Sequence, residues 1–131
     1  MCVFCEIIKG NIPSKKIYED ESVVAILDIS QATVGHTLIM PKDHFANLYE
    51  IDEETLKHLI SVSKKLAIHY KNVDPQIVGV NLLNNNEEAA GQSVMHYHMH
   101  LIPRYKNDDL KIEFTSHQED LDAIESKFKL A

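Results

Sequence analysis

No apolar run in the 131 residues approaches the ~18 that a membrane-spanning helix needs. Nor does a basic segment lead into an apolar stretch and a cleavage site, so no signal peptide is expected and the cytoplasm is the default compartment. Basic residues are scarce as well: 13 Lys and Arg stand against 20 Asp and Glu, a formal charge of -7. A field of that sign repels polyanions and excludes long nucleic acid as a general partner. It still allows one phosphate to be held by a few aimed donors or a helix N-terminus. Internal repeats and low-complexity linkers are absent, which excludes solenoids. What remains is 44% hydrophobic and 25% charged residues, the balance of a globular protein. Residues 1–131 are therefore expected to form one domain, folding alone or as a dimer.

Short elements follow one another along the chain. Ile17 to Glu19 and Val23 to Leu27 read as the strands of a hairpin across Asp20-Glu21-Ser22. Thr37 to Met40 reads as a third strand, entered through Gly35 and closed by Pro41, which ends ladder pairing. From Asp52 to Lys71, Leu56, Leu59, Ile60, Leu66, Ala67 and Tyr70 recur at helical spacing. Asp52 suits the N-cap of that helix, and Ile51 with Leu56 stands at the spacing of a hydrophobic staple. Ile77 to Leu83 and Met95 to Ile102 read as two more strands, joined by the polar segment Asn84 to Ser93. Ser116 and Glu119 are spaced as a capping box ahead of Leu121, Ile124 and Phe128, giving a short C-terminal helix. Strands adjacent in sequence, without strict alternation with helices, indicate an α+β fold.

The stretch Gly91-Gln92-Ser93-Val94-Met95-His96-Tyr97-His98-Met99-His100 carries the chemistry. On a strand, His96, His98 and His100 line one face, about 7 Å apart, while Tyr97, Met99 and Leu101 line the other. Three imidazoles at alternate positions point to function, because this residue titrates near neutrality and is rarely used three times for packing. Two chemistries fit: coordination of one metal ion, or nucleophilic and acid-base catalysis. Gly91, Gln92 and Ser93 just ahead offer backbone N–H groups, an amide and a hydroxyl. These are the donors that a phosphate oxyanion needs, and they favour phosphorus chemistry.

The run His96-Tyr97-His98-Met99-His100-Leu101-Ile102 resembles the signature of the histidine triad family, in which three histidines alternate with apolar residues. The likeness extends to Phe4-Cys5-Glu6-Ile7-Ile8 with Ile12-Pro13, Leu27-Asp28-Ile29-Ser30, Gly35-His36-Thr37-Leu38 and Pro41-Lys42-Asp43-His44. It covers residues 2 to 105 and leaves 106–131 as an extension. Within the family the chain looks most like the bacterial-type members of the Hint branch, with the Fhit-like dinucleoside polyphosphate hydrolases as the nearer rival.

The resemblance implies a five-stranded antiparallel sheet with a long central helix and a short C-terminal helix, dimerising into a continuous sheet. It also implies hydrolysis of nucleoside 5'-monophosphoramidates, purines preferred, through a covalent nucleotidyl-histidine. Residue by residue, His98 would be the nucleophile, with its other ring nitrogen held as a donor to a backbone carbonyl. His100 and Ser93 would bind phosphate oxygens or protonate the leaving nitrogen, supported by His36. Asp28 would grip the ribose hydroxyls. Phe4, Ile7 and Ile29 would line the base pocket, although on composition alone all three read as core. Asn85, Gly91 and Gln92 would lie near the phosphate. Glu87 departs from the pattern, standing where Gly is frequent, and reads as solvated.

Cys2 and Cys5 form a Cys-x-x-Cys pair that admits a redox pair, half of a zinc site, or coincidence. No strand precedes it, as a thioredoxin-like motif would require. The resemblance implies structural, not catalytic, zinc, completed by His44 and His96. His58, His69 and His117 read as surface residues. A non-catalytic nucleotide-binding or zinc-binding interaction module is the alternative from another class, since a fold can keep its pocket and lose its chemistry.

Overall fold

A computed structural model describes residues 1–131. The element order is α1 (Val3–Ile8), β1 (Lys16–Glu19), β2 (Val23–Leu27), β3 (Thr37–Pro41), α2 (Glu53–Val73), β4 (Ile77–Leu83), a 3-10 turn (Glu88–Ala90), β5 (Met99–Tyr105) and α3 (Leu121–Phe128). The strands form one antiparallel sheet in the order β1-β2-β3-β5-β4. The α+β class and the five-stranded antiparallel sheet expected from the sequence are therefore present.

Strand alternation divides the interior in two. Val23 and Ala25 of β2, Ile39 of β3, and Met99 and Leu101 of β5 face α2, where they meet Leu59, Val62 and Leu66. Val24 and Ile26 of β2 with Leu38 and Met40 of β3 face the other way and are covered by Phe4 of α1. Each fully buried aliphatic side chain contributes about 1.5–3 kcal/mol, so α2 is fixed chiefly by its apolar face. Its start is the expected one, with the Asp52 carboxylate accepting from the Thr55 N–H at 3.0 Å. Ile60, expected on the buried face, is 42% exposed. Val62 and Ser63 take that place, the serine satisfying its hydroxyl by donating to the Leu59 carbonyl at 2.8 Å.

Three further expectations are corrected. Ladder pairing runs through Pro41, which is the partner of Val23, rather than ending before it. Regular pairing in the last strand begins at Met99, not Met95, and includes Pro103 and Arg104 instead of ending at Ile102. The C-terminal helix is capped by Asp120, whose carboxylate accepts from the N–H groups of Asp122 and Ala123, and not by Ser116. His117 lies in the irregular segment ahead of that helix. Of the other two surface histidines, His69 is exposed, and His58 is 2.6 Å from the Asp20 carboxylate.

Candidate active site and metal centre

On the sheet face covered by α1, a pocket of 290 Å³ opens among Phe4, Ile7, Asp28, Ile29, Ser93, His98 and His100, with Ile26 and Leu38 also in its lining. Seven of the residues singled out for nucleotide chemistry thus share one concavity although they come from four separate stretches of chain. Phe4 is buried, as a core reading would have it, whereas the Ile29 side chain is fully exposed at the pocket rim. Gly91, Gln92 and Asn85 do not line this pocket. Gln92 is buried, and its amide is committed to the chain. It donates to the carbonyls of Ala46 and Val94 and accepts from the Glu87 N–H at 2.7 Å. Asn85 lies against Gly91, whose φ is +93°.

Hydrogen bonds fix the protonation pattern of the histidines. His98 Nδ1 is 2.8 Å from the His96 carbonyl, so it must carry the proton and donate. Nε2 is left as the free lone pair. His98 is buried, and the burial lowers its pKa below the ordinary histidine value, keeping that lone pair available. His36 is fixed differently. The Ala32 N–H donates to its Nδ1 at 3.1 Å, so Nε2 holds the proton and donates to His100 Nδ1 at 2.9 Å. By the same logic His100 keeps its proton on Nε2, as a donor. Asp28 presents one carboxylate oxygen 3.6 Å from His36 Nε2, and the other accepts from the Ser30 N–H in a turn.

Burial, then the charges of His98 and His36, push the pKa of His100 down to about 4. The ordinary value near 6.5 applies in the unfolded chain, so between these limits the unfolded state binds the extra proton and the folded state does not. Stability is expected to be unaffected by this group above pH 6.5 and to fall as the pH drops from there towards 4. Urea unfolding at pH 7.5 and pH 5 should show a shallower loss in His100→Gln than in the unaltered protein. Equal slopes would mean that His100 titrates normally.

A second cluster lies beside the pocket. One ligand atom each from Cys2, Cys5, His44 and His96 falls within 4.8 Å of the others. His96 Nδ1 is 3.4 Å from the Cys2 sulfur and 3.6 Å from that of Cys5, and His44 Nδ1 is 3.4 Å from Cys5. A tetrahedron with metal–sulfur bonds of about 2.3 Å and metal–nitrogen bonds of about 2.0 Å has sulfur-to-nitrogen edges of about 3.5 Å. The donor set fits zinc in both chemistry and size. His96 Nε2 lies 2.8 Å from the Pro41 carbonyl, to which it donates, and this leaves Nδ1 unprotonated towards the sulfurs. Asp28, His36 and His100 also gather one candidate atom each within 4.8 Å. There the proton on His36 Nε2 occupies the position that a metal would need.

The sequence reading missed the residues that hold these histidines in place. Gln31 clasps the loop ahead of β3, its amide donating to the carbonyls of Asp28 and His36 and accepting from the Gly35 N–H. Asn84 donates to the His98 carbonyl at 3.0 Å. Glu87 is exposed, as expected, yet it carries strain: φ is 74° and ψ 161°, a region open to essentially glycine alone. Such a conformation costs about 1–3 kcal/mol. Glu87→Gly should therefore stabilise the protein by about 1 kcal/mol, after the entropy that glycine adds to the unfolded chain. A raised urea midpoint would show this. A lowered one would mean that the carboxylate makes contacts outweighing the strain.

A family model described as HIT domain matches residues 9–107. An adenosine 5'-monophosphoramidase of Candida albicans is 43% identical over 106 residues, 79% of this chain and 70% of that protein. The crystal structure of a HIT family member from Bacillus subtilis superposes with a TM-score of 0.88 at 48% identity, covering 99% of this chain and 97% of the other. A zinc-bound histidine triad family protein from Mycobacterium smegmatis superposes with a TM-score of 0.81 at 37% identity, covering 88% of this chain and 84% of that one.

Proposed function

This chain belongs to the HIT domain family, and from that premise we propose that it hydrolyses nucleoside 5'-monophosphoramidates, purines preferred, through a nucleotidyl-histidine intermediate. The observation that carries the reading is the ring of His98, which lines the pocket and whose Nδ1–H is tied to the His96 carbonyl, so that Nε2 keeps its lone pair free of any hydrogen bond within the chain. That is the arrangement a neutral imidazole nucleophile requires.

In the first step His98 Nε2 forms a bond to phosphorus and the P–N bond breaks. The nitrogen leaves with the electron pair, and the Ser93 hydroxyl passes it a proton from solvent. His100 donates from Nε2 to a phosphate oxygen, its tautomer set by the His36 Nε2–H on its far side. In the second step water attacks phosphorus, its proton returns to solvent, and His98 Nε2 recovers its lone pair. One water is consumed, and the amine and the nucleoside monophosphate are released. Asp28 binds the ribose hydroxyls, and Phe4, Ile7 and Ile29 hold the base. Gln92 and Gly91 act by shaping the loop that presents Ser93.

Cys2, Cys5, His44 and His96 would hold zinc. Bound there, it would supply structure, tying α1 and its Phe4 to the chain just ahead of β5. The partner most consistent with the fold is a second copy. β4 is an edge strand with one unpaired side, and Val78, Val80 and Leu82 are exposed on it, so pairing there would bury apolar surface and remove the open edge. No helix is long and apolar enough to cross a membrane. Cys2 and Cys5 are not joined in a disulfide, and a pair of thiolates held for zinc is compatible with a reducing, cytoplasmic setting.

The test is incubation with adenosine 5'-phosphoramidate and with a diadenosine polyphosphate, following released AMP. Turnover of the first and not the second is expected. Cleavage of the dinucleotide alone would replace this reading by the Fhit-like one. AMP binding without turnover of either would make the protein a binding module.

A further inference from the structure

The Asp28 carboxylate and the His100 ring both line the nucleotide pocket, one where the ribose is proposed to bind and the other where the phosphate is. His36 stands next to both, does not line the pocket and is only 5% exposed. One candidate atom from each of the three falls within 4.8 Å of the others. The proton on His36 Nε2 therefore faces two acceptors, His100 Nδ1 at 2.9 Å and Asp28 Oδ2 at 3.6 Å. The neutral ring has no second proton to offer, because its Nδ1 accepts from the Ala32 N–H. Asp28 Oδ1 accepts from the Ser30 N–H, whereas Oδ2 has no hydrogen bond within the chain.

We infer that the ribose hydroxyls of the substrate, by engaging Asp28, commit the His36 proton to His100 and so accelerate P–N cleavage as well as strengthen binding. The inference rests on the phosphoramidate reading above and makes Asp28 a positioning residue for His100 in addition to a ribose ligand. The shorter bond runs to His100, but a carboxylate is the stronger acceptor, since a charge-assisted hydrogen bond is roughly twice as strong as a neutral one. With the pocket empty, a small rotation of the carboxylate draws the His36 proton away. His100 Nδ1 then has no donor, and the ring can carry its proton there, leaving on Nε2 a lone pair that repels a phosphate oxygen. Ribose hydroxyls that donate to Oδ2 satisfy it and return the His36 proton to His100. The Nε2–H of His100 is then held for the phosphate, where charge develops in the transition state.

The backbone makes this a matter of hydrogen bonding rather than of loop movement. The Asp28 N–H donates to the His36 carbonyl at 3.0 Å, and the Gln31 amide donates to the carbonyls of both residues, so the two are held as one unit. The charge of Asp28 also reaches the far ring: burial is the main cause of the low pKa of His100, His98 and His36 add to it, and Asp28 opposes them.

Two 5'-phosphoramidates that differ only in the sugar, those of adenosine and of 2',3'-dideoxyadenosine, test this. Single-turnover rapid quench at saturating substrate reads the bond-breaking rate apart from affinity. The unaltered protein is expected to cleave the dideoxy compound about tenfold more slowly, the effect of one redirected hydrogen bond, besides binding it more weakly. Asp28→Asn keeps the size of the side chain and removes the charge that competes for the His36 proton. It should bind the adenosine compound more weakly, cleave the two compounds at similar rates, and cleave the dideoxy compound several-fold faster than the unaltered protein does. A merely structural role for Asp28 would slow both. Nitrogen-15 spectra of the histidine rings, with His100→Gln to assign the signal, read the coupling without turnover. AMP should increase the fraction of His100 protonated on Nε2, and 2',3'-dideoxy-AMP at saturation should not.

Equal saturated rates for the two sugars in the unaltered protein, or an Asp28→Asn protein slower than the unaltered one on the dideoxy compound, would overturn the inference and leave the hydrolase reading standing. Failure to cleave even the adenosine compound would remove the hydrolase reading. The spectra would then decide alone, and a His100 ring that responds equally to the two nucleotides, or to neither, would overturn the coupling.

Discussion

Protein carrying asparagine in place of His98 is expected to bind AMP, to melt close to the unaltered protein and to lose turnover of adenosine phosphoramidate by roughly 10⁴-fold or more. The size of the loss follows from the chemistry. Without the imidazole no covalent intermediate forms, and the remaining donors can only position phosphate for attack by water. The fold should tolerate the change because asparagine retains an N–H able to reach the His96 carbonyl, the one hydrogen bond made by this ring. The vacated ring volume lies beside Phe4 and His100, whose ring centroids are 5.1 Å and 5.0 Å away. His36→Gln should behave differently. It removes the donor that sets the His100 tautomer and leaves the nucleophile in place, so a partial loss is expected. Rapid-quench measurements would distinguish the two, since a nucleotidyl-enzyme should accumulate or turn over in the His36 variant and be absent from the His98 variant. A wild-type rate in His98→Asn would mean that the covalent mechanism is wrong.

What the sequence reveals of this site depends on how local the signal is. Val23 to Leu27 is legible as a strand because it is a run of five apolar residues, the first four buried on both faces, and α2 is legible from Asp52 and its apolar period. The start of β5 is not. Between Val94 and His98 the backbone groups are satisfied elsewhere: the Tyr97 N–H donates to the Phe45 carbonyl, and the carbonyls of His96 and His98 accept from the His98 ring and from Asn84. Composition there suggests strand because the chain is extended, and the alternation of side chains persists without the ladder. That is why alternation puts the three histidines on one side of the chain although regular pairing begins only at Met99, four residues after Met95. The helix α3 illustrates a different limit. Ser116 and Glu119 have the spacing of a capping box, but Asp120, adjacent to the first turn, competes with its shorter reach to two N–H groups. The supporting amides of Asn84 and Gln92 leave no pattern in sequence, since they reach the His98 and Ala46 carbonyls, which only folding brings near, whereas Gln31 acts within its own loop on Asp28, Gly35 and His36.

The triplet itself divides between two tasks, and this division leads to the second large effect. His96 turns Nδ1 towards Cys2 and Cys5, whereas His98 and His100 face the nucleotide pocket. Replacing His96 by Ala, or Cys2 or Cys5 by Ser, is expected to release zinc and to lower stability by about 3–5 kcal/mol, the range reached when a structural metal or a buried network is lost. The unaltered protein should contain about one zinc per chain. Burial, followed by the hydrogen bond and charge of Cys2, raises the pKa of the Cys5 thiol, so without a cation the two sulfurs oppose each other's ionisation. His44 is exposed, and its replacement should cost less because water can take the vacated position. The loss should also reach the nucleotide pocket. Cys2 caps α1 and Cys5 lies within it, on either side of Phe4, so an α1 released from His96 no longer holds Phe4 against the His98 ring. AMP affinity should then fall in the Cys5→Ser and His96→Ala proteins but remain in His98→Asn, which keeps the metal. Elemental analysis of purified protein, paired with urea unfolding and AMP titration of each variant, checks all three expectations. Protein without stoichiometric zinc, or a Cys5→Ser variant with unchanged midpoint and AMP affinity, would mean that the cluster neither binds the ion nor braces the pocket.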